Sequence, residues 1–234
     1  MSKKKKKIVG FIPARGGSKG IRRKNLADLY GLPLLAYTTI AAYSSILTEV
    51  WVSSNDSIIL DTAKIYGANT LQRPENLCQD NSTTEEAVEH FLKHVKCDVV
   101  VLIQATSPLL TSGDIDRGIE KFLMGNYDSL FSVVRETDML LWKFGKKRKS
   151  EKENIYIQPA NYDPQDRMRR QTREKNAYMI ESGGFFIFGQ QFFNQNKCRM
   201  GGKVGFVEIP FWQSFQVDSY EDLANISKVM AHDK

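Results

Sequence analysis

Short apolar runs recur along the chain, separated by stretches with helical spacing. IVGFIPA (8–14), EVWVSS (49–54), DVVVLIQA (98–105), SLFSVV (129–134), GGFFIF (183–188) and KVGFVEI (203–209) read as strands. Several are apolar throughout rather than alternating, the pattern of strands covered on both faces of a parallel sheet. Between them, 33–45, 57–67, 82–95, 113–125 and 219–231 carry helical periodicity. Gly67 suits a helix C-cap. Ser82 or Thr83, followed by Glu85 and Glu86, suits an N-cap. Strand–helix alternation of this kind predicts an α/β domain with a mostly parallel sheet flanked by helices and right-handed crossovers.

Residues 136–181 break the rhythm. They are long, basic and aromatic, and a structureless loop of that size inside a domain is improbable. A protruding hairpin or subdomain is predicted, with NIYIQP (154–159) as one strand and Trp142, Tyr156, Tyr162 and Tyr178 as interface-like aromatics.

Charge changes less than it first suggests. The 234 residues carry 33 Lys+Arg against 27 Asp+Glu, net +6, but Lys3–Lys7 supply five of the positives, leaving 28 against 27. The basicity therefore belongs to a flexible tail over residues 1–7, with the domain over 8–234 nearly neutral. A domain-wide basic surface, the mark of a nucleic-acid binder, is lacking. Lys146, Lys147, Arg148 and Lys149 suit solvated charge, with a nuclear address as the alternative to the cytoplasm. No apolar stretch is long enough for a membrane span. Lys3–Lys7 before IVGFIPA imitates a secretory leader, but the apolar run stops at Arg15 without a small-residue cleavage site, so none is expected. Cys78, Cys97 and Cys198 are odd in number and form no CxxC pair, which points to a reducing compartment rather than disulfides or zinc.

The candidate chemistry starts directly after the first strand, in PARGGSKGIRRKN (13–25). Gly16, Gly17 and Gly20 allow backbone N–H groups close to an anion, and Arg15, Lys19 and Lys24 supply positive charge. Ligands of open α/β sheets bind at the carboxyl ends of strands, where this loop lies. The loop is neither GxGxxG nor GxxxxGK[ST], so dinucleotide and P-loop readings fail, and a phosphate cradle is preferred over a solvated basic turn. His90 and His94 are spaced i, i+4 but are not in HExxH. The apolar face of their helix turns both toward water, which argues against zinc.

At this loop the sequence resembles the cytidylyltransferases that activate nine-carbon sugar acids, the CMP-sialic acid synthetase (N-acylneuraminate cytidylyltransferase) family. RPENLCQDNSTTEEA (73–87), LIQATSPLL (102–110), YDSLFSVVR (127–135), RRQ (169–171), ESGGFFIF (181–188) and VDSYEDL (217–223) resemble further family segments in order, nearly along the whole chain. The resemblance implies a Rossmann-like nucleotide-diphospho-sugar transferase fold, with 136–181 as a dimerisation arm exchanged between subunits of a homodimer. It implies transfer of CMP from CTP to the anomeric hydroxyl of a sialic-acid-like sugar, with release of pyrophosphate. Arg15, Gly16, Gly17, Ser18, Lys19, Lys24, Asn25, Arg73, Ser82 and Thr84 would then bind the nucleotide. Gln104, Arg169 and Arg170 would bind the sugar, and Arg15, Lys24, Arg170 and Asp218 would serve catalysis. Mg²⁺ would be held by Asp218. The family often shows Asp-x-Asp here, and Gln216 replaces the first acid. No counterpart of the phosphatase-like C-terminal domain of vertebrate members is expected.

Plainer roles compete. Asn25 could cap its turn, Arg73 could pair with Glu75, Ser82 could cap the following helix, Gln104 could be a core amide, and Asp218 could cap the last helix unless Ser219 does. Among activities, a cytidylyltransferase for another 2-keto sugar acid (Kdo, legionaminic, pseudaminic or deaminated neuraminic acid) is the first alternative. A non-catalytic nucleic-acid-binding protein is the remote one.

Overall fold

The computed structural model of the protein describes residues 6–136, 140–144, 157–167, 169 and 177–232. The chain groups into two compact units, Met1–Val134 with Glu181–Lys234, and Arg135–Ile180.

The first unit is built on one sheet. Its strands are β1 (Ile8–Pro13), β4 (Glu49–Ser54), β5 (Asn69–Gln72), β6 (Val99–Ile103), β7 (Ser129–Glu136), β10 (Tyr178–Gly189) and β11 (Val204–Glu208), in the order β11-β7-β10-β6-β1-β4-β5. β1 lies parallel to β4 and β6, with Phe11 opposite Trp51 and Leu102. β4 lies parallel to β5, and β7 to β11. β10 runs antiparallel to β6, pairing Phe186 with Leu102. Every residue of β6 is buried, as a strand covered on both faces requires. A two-stranded ribbon, β2 (Asp28–Leu29) and β3 (Leu32–Pro33), follows the glycine loop.

Helices α1 (Leu34–Tyr43), α2 (Ser57–Ile65), α3 (Thr84–His94) and α4 (Ser112–Gly125) stand where the periodicity puts them. So does the last helix, α6 (Tyr220–His232), preceded by the short α5 (Gln190–Asn196). Their starts are fixed locally. Asp56 accepts the N–H of Ile58, and Thr83 with Glu86 and Thr111 with Asp114 form reciprocal capping boxes. Two apolar clusters hold the unit. One stacks Phe11 on Phe91, 4.4 Å between centroids, among Val9, Val88, Leu102 and Phe186. Each such ring contributes roughly 1.5–3 kcal/mol by burial. The other gathers Ile21, Leu29, Leu34, Leu109, Val217 and Ile226. It fastens the glycine loop, the segment after β6 and the last helix to one another.

One expectation is corrected. His94 is exposed, but His90 is half-buried and its Nδ1 has no hydrogen-bond partner. Residue 90 lies three positions after Ala87 and shares its side of the helix. Burial, then the charges of His94 and Arg73, push the His90 pKa down. No group of three His, Cys, Asp or Glu side chains among the described residues could hold a metal ion.

In the second unit, β8 (Trp142–Phe144) pairs antiparallel with β9 (Ile157–Pro159). The expected strand 154–159 is represented by its last three residues, Asn154 to Tyr156 lying outside the described residues. Leu141 donates to Asn161 Oδ1 at 2.8 Å, and the Trp142 and Tyr162 rings meet edge-on at 5.9 Å. Lys146–Lys149 also lie outside the described residues. No helix among the described residues is long and apolar enough to cross a membrane.

Candidate anion-binding active site

β1 ends at Pro13, and its extension Ala14 still bonds to the Ser53 carbonyl, so the glycine loop leaves the sheet at the carboxyl ends of β1 and β4. A turn over Lys24–Leu26, entered through Arg23 in the left-handed conformation (φ 52°), folds the loop back on itself. A cavity of about 320 Å³ opens there, lined by Arg15, Ser18, Lys19, Gly20, Lys24, Asn25, Gln104 and Asp218 among others. Residues from three distant stretches thus meet where an open α/β sheet binds its ligand.

The loop is held by side chains rather than left pliable. Asn25 is buried and donates to the Arg15 carbonyl at 3.0 Å, and the Gly16 N–H donates to Asn55 Oδ1 at 2.8 Å. In this arrangement Asn25 shapes the loop and the Gly16 N–H is already satisfied. Gly17 has open space around it. At Gly20 an added Cβ would fall on the Asp218 carbonyl oxygen, so the glycine permits direct contact between the loop and the segment before the last helix.

The cations are paired in an informative way. Lys24, only 17% exposed at its side chain, holds Asp218 Oδ1 at 2.8 Å. Arg15 donates through Nη1 to the Gln79 carbonyl and to Asp80 Oδ1, both at 3.0 Å. Lys19 Nζ lies 2.8 Å from Asp80 Oδ2. Lys19 first, and Arg15 after it, hold the Asp80 carboxyl below its ordinary value. Sequence reasoning did not single out Asp80. Its partners lie 61 to 65 positions earlier, and no local pattern signals such a pairing.

Asp218 does not cap the last helix. Ser219 takes that role: its Oγ accepts the Asp222 N–H at 3.2 Å and donates to Asp222 Oδ2 at 2.8 Å. Asp222 also accepts the N–H groups of Asp218 and Ser219. The Asp218 carboxylate, 75% exposed, therefore faces the cavity with Lys24 as its partner. Gln216 donates to the Ser182 carbonyl at 2.7 Å and accepts from Thr106 Oγ1 at 3.3 Å. Its amide is a staple between β10, which carries Ser182, and the segment after β6, which carries Thr106, and Gly183, with φ 70°, leaves the room for it.

The remaining candidates fall in different places. Gln104 follows β6 and lines the cavity, its N–H bonded to the Gly184 carbonyl. Arg73 is 4% exposed and donates through Nε to Cys78 Sγ at 3.0 Å, not to Glu75, which instead accepts from Asn55. Ser82 is not the helix cap, which is Thr83. Its Oγ accepts the Gln79 N–H at 3.0 Å and donates to the Asn76 carbonyl at 3.3 Å, shaping the turn that carries Asp80. Thr84 opens α3. Arg169 is exposed in the second unit, and Arg170 and Gln171 lie outside the described residues.

An α/β sheet with a cationic glycine loop, a facing carboxylate and an amide at the carboxyl ends of its strands is an arrangement suited to an anionic ligand. The chain belongs to the cytidylyltransferase family, whose model matches residues 9–200. It is 33% identical to N-acylneuraminate cytidylyltransferase A of Danio rerio over 92% of this chain and 49% of that protein. It is 38% identical to the pseudaminic acid cytidylyltransferase of Campylobacter jejuni subsp. jejuni over 55% of this chain and 58% of that one. The chain spans about half the length of the first of these relatives. Its fold is similar to that of a CMP:2-keto-3-deoxy-manno-octonic acid synthetase solved with CTP, with a TM-score of 0.71, 17% identity, and 97% and 100% of the two chains covered.

Proposed function

We propose that the protein is an N-acylneuraminate cytidylyltransferase, moving CMP from CTP to the anomeric hydroxyl of a sialic-acid-like nine-carbon sugar acid. The observation that carries this reading is the gathering of Arg15, Lys19, Lys24, Gln104 and Asp218 around one cavity, in a chain 33% identical to a protein of that name. The anomeric hydroxyl gives its proton to water as its oxygen forms a bond to the α-phosphorus of CTP, the bond from that phosphorus to the bridging oxygen of the β-phosphate breaks, and pyrophosphate leaves. Phosphoryl-type transfer of this sort depends on positioning and charge neutralisation more than on covalent help from the protein. Arg15, Lys19 and Lys24 neutralise the triphosphate, with the loop N–H groups still free for it near Ser18. Gln104 orients the sugar through its amide, which both donates and accepts.

The donor set fits a magnesium ion that arrives with the nucleotide. Asp218 offers one exposed carboxylate, and magnesium keeps several waters while sharing phosphate oxygens. Gln216, engaged at both ends of its amide, does not join it. When bound, the ion would neutralise charge on the triphosphate and its leaving group. Arg169 and Arg170 of the 136–181 arm are proposed to recognise the sugar carboxylate, in a homodimer joined through that arm. A cytoplasmic setting suits the three unpaired cysteines.

Incubation with CTP, Mg²⁺ and a panel of N-acetylneuraminic, deaminated neuraminic, legionaminic, pseudaminic and Kdo acids tests the reading through pyrophosphate release. Fastest turnover is expected with the N-acylneuraminate. The 38% identity to the pseudaminic acid enzyme makes that acid the second reading, and preference for it would replace the first. Silence with every acid, together with no affinity for CTP, would sink both.

A further inference from the structure

All three cavity cations are paired, and two of them share a single carboxylate. Arg15 and Lys19 grip opposite oxygens of one carboxylate, Asp80 Oδ1 and Oδ2, at 3.0 and 2.8 Å. The geometry is that of a bridging phosphate with its two oxygens shared between two donors. Asp80 is brought there by a purpose-shaped turn. Ser82 Oγ accepts the Gln79 N–H, Gln79 Nε2 donates to the Glu75 carbonyl at 2.8 Å, and Glu75 accepts from Asn55, which also holds the Gly16 N–H. The turn 75–82 and the glycine loop are thus framed by one asparagine. The carboxylate itself is exposed and rests on no buried contact, so it is free to leave while the frame stays.

We propose that Asp80 is the resident counter-anion of the glycine loop, standing on Arg15 and Lys19 where a phosphate group of the nucleotide belongs, and that a polyphosphate binds by exchanging with it. This rests on the reading of the cavity as a triphosphate site. Asp80 keeps two like charges from splaying apart before the ligand arrives, at the cost of competing with it. The acid that lines the cavity, Asp218, is different in kind. Asp218 is partnered by Lys24, which neither Asp80 oxygen contacts, so the exchange involves one face of the loop only.

Titration calorimetry with inorganic pyrophosphate, without metal, and with CTP–Mg²⁺ tests the exchange. Asp80→Asn is expected to bind pyrophosphate about three- to tenfold tighter than the parent, the scale of two exposed ion pairs removed from competition. The gain should shrink, to about half in free-energy terms, in a Lys19→Met background, because only Arg15 then competes with the ligand for Asp80; this coupling is what a purely structural Asp80 would not produce. Asp80→Ser, smaller and neutral, should show the same sign should Asp80→Asn fail to fold. Equal or weaker pyrophosphate binding by the neutral variants, with the parent binding normally, would overturn the role of Asp80 alone. Absence of binding by the parent to both ligands would overturn the triphosphate site and the exchange with it.

Discussion

At the scale of single residues, the cavity separates side chains that build the loop from side chains left for a ligand. Asn25 and Gly20 build: one is buried against the Arg15 carbonyl, the other admits the Asp218 carbonyl. Arg15 and Asp218 are exposed enough to meet a ligand and hold nothing in the core. Arg15→Ala should therefore lower kcat/KM by about a hundredfold or more, the scale of a lost anion donor, with a thermal midpoint within a degree or two of the parent. Unchanged turnover would remove Arg15 from the site. Asp218→Asn should raise the Mg²⁺ concentration for half-maximal activity severalfold without shifting the melt, because Ser219 caps the helix regardless. A magnesium titration that does not move would leave Asp218 as a partner of Lys24 only.

Among the elements, the last helix has the most direct hold on the site. Its start is tied by Ser219 and Asp222, and its Ile226 packs with Val217 and Ile21 beneath the loop. Ser219→Ala should cost about 1 kcal/mol, a lowered melting point being the readout. Hydrogen bonds from Ser219, then from the N–H groups of Asp218 and Ser219, hold the Asp222 pKa below its ordinary value. The stabilisation is accordingly present above the ordinary carboxylate pKa and is lost as pH falls through the depressed one, so the variant and the parent should converge in acid. A constant gap down to the lowest pH would count against this cap. The strong elements were legible because their signals are local: unbroken apolar runs for β1 and β6, a Thr-x-x-Glu box for α3. The edge strand β5 was not. Its NTLQ is polar and half exposed, with nothing to mark it as a strand until β4 pairs with it. The short helix of Gln190–Asn196 hides likewise in polar residues, with Phe193 its one buried side chain. Of the cavity's lining side chains, Arg15, Lys19, Lys24, Gln104 and Asp218 could be picked out from the sequence, but their pairings could not. Arg15 and Lys19 announce an anion, while Asp80, which answers them, is visible only once the chain is folded.

For the whole molecule, the charge distribution matters more than its total. Of the lysine-rich start, the described Lys7 pairs with Glu49, whereas the cations lining the cavity belong to the glycine loop and its lining carboxylate is Asp218. Removal of residues 1–5 should leave kcat and KM unchanged within a factor of about two, as surface changes do, while weakening any salt-dependent adsorption to RNA. A large loss of turnover would give the tail a part in the reaction. Binding to RNA that survives the deletion would reopen the nucleic-acid reading.

The pair Lys24 and Asp218 closes a span of 194 residues. A growing polypeptide that has displayed its first two hundred residues possesses the sheet strands β1, β4 and β6 and the glycine loop, yet the loop has no wall opposite it. Completion of the cavity is thereby deferred until the segment at 216–218 has been made and docks against Gly20. Fragments that stop before residue 216 would lack one wall of the cavity and the partner of Lys24.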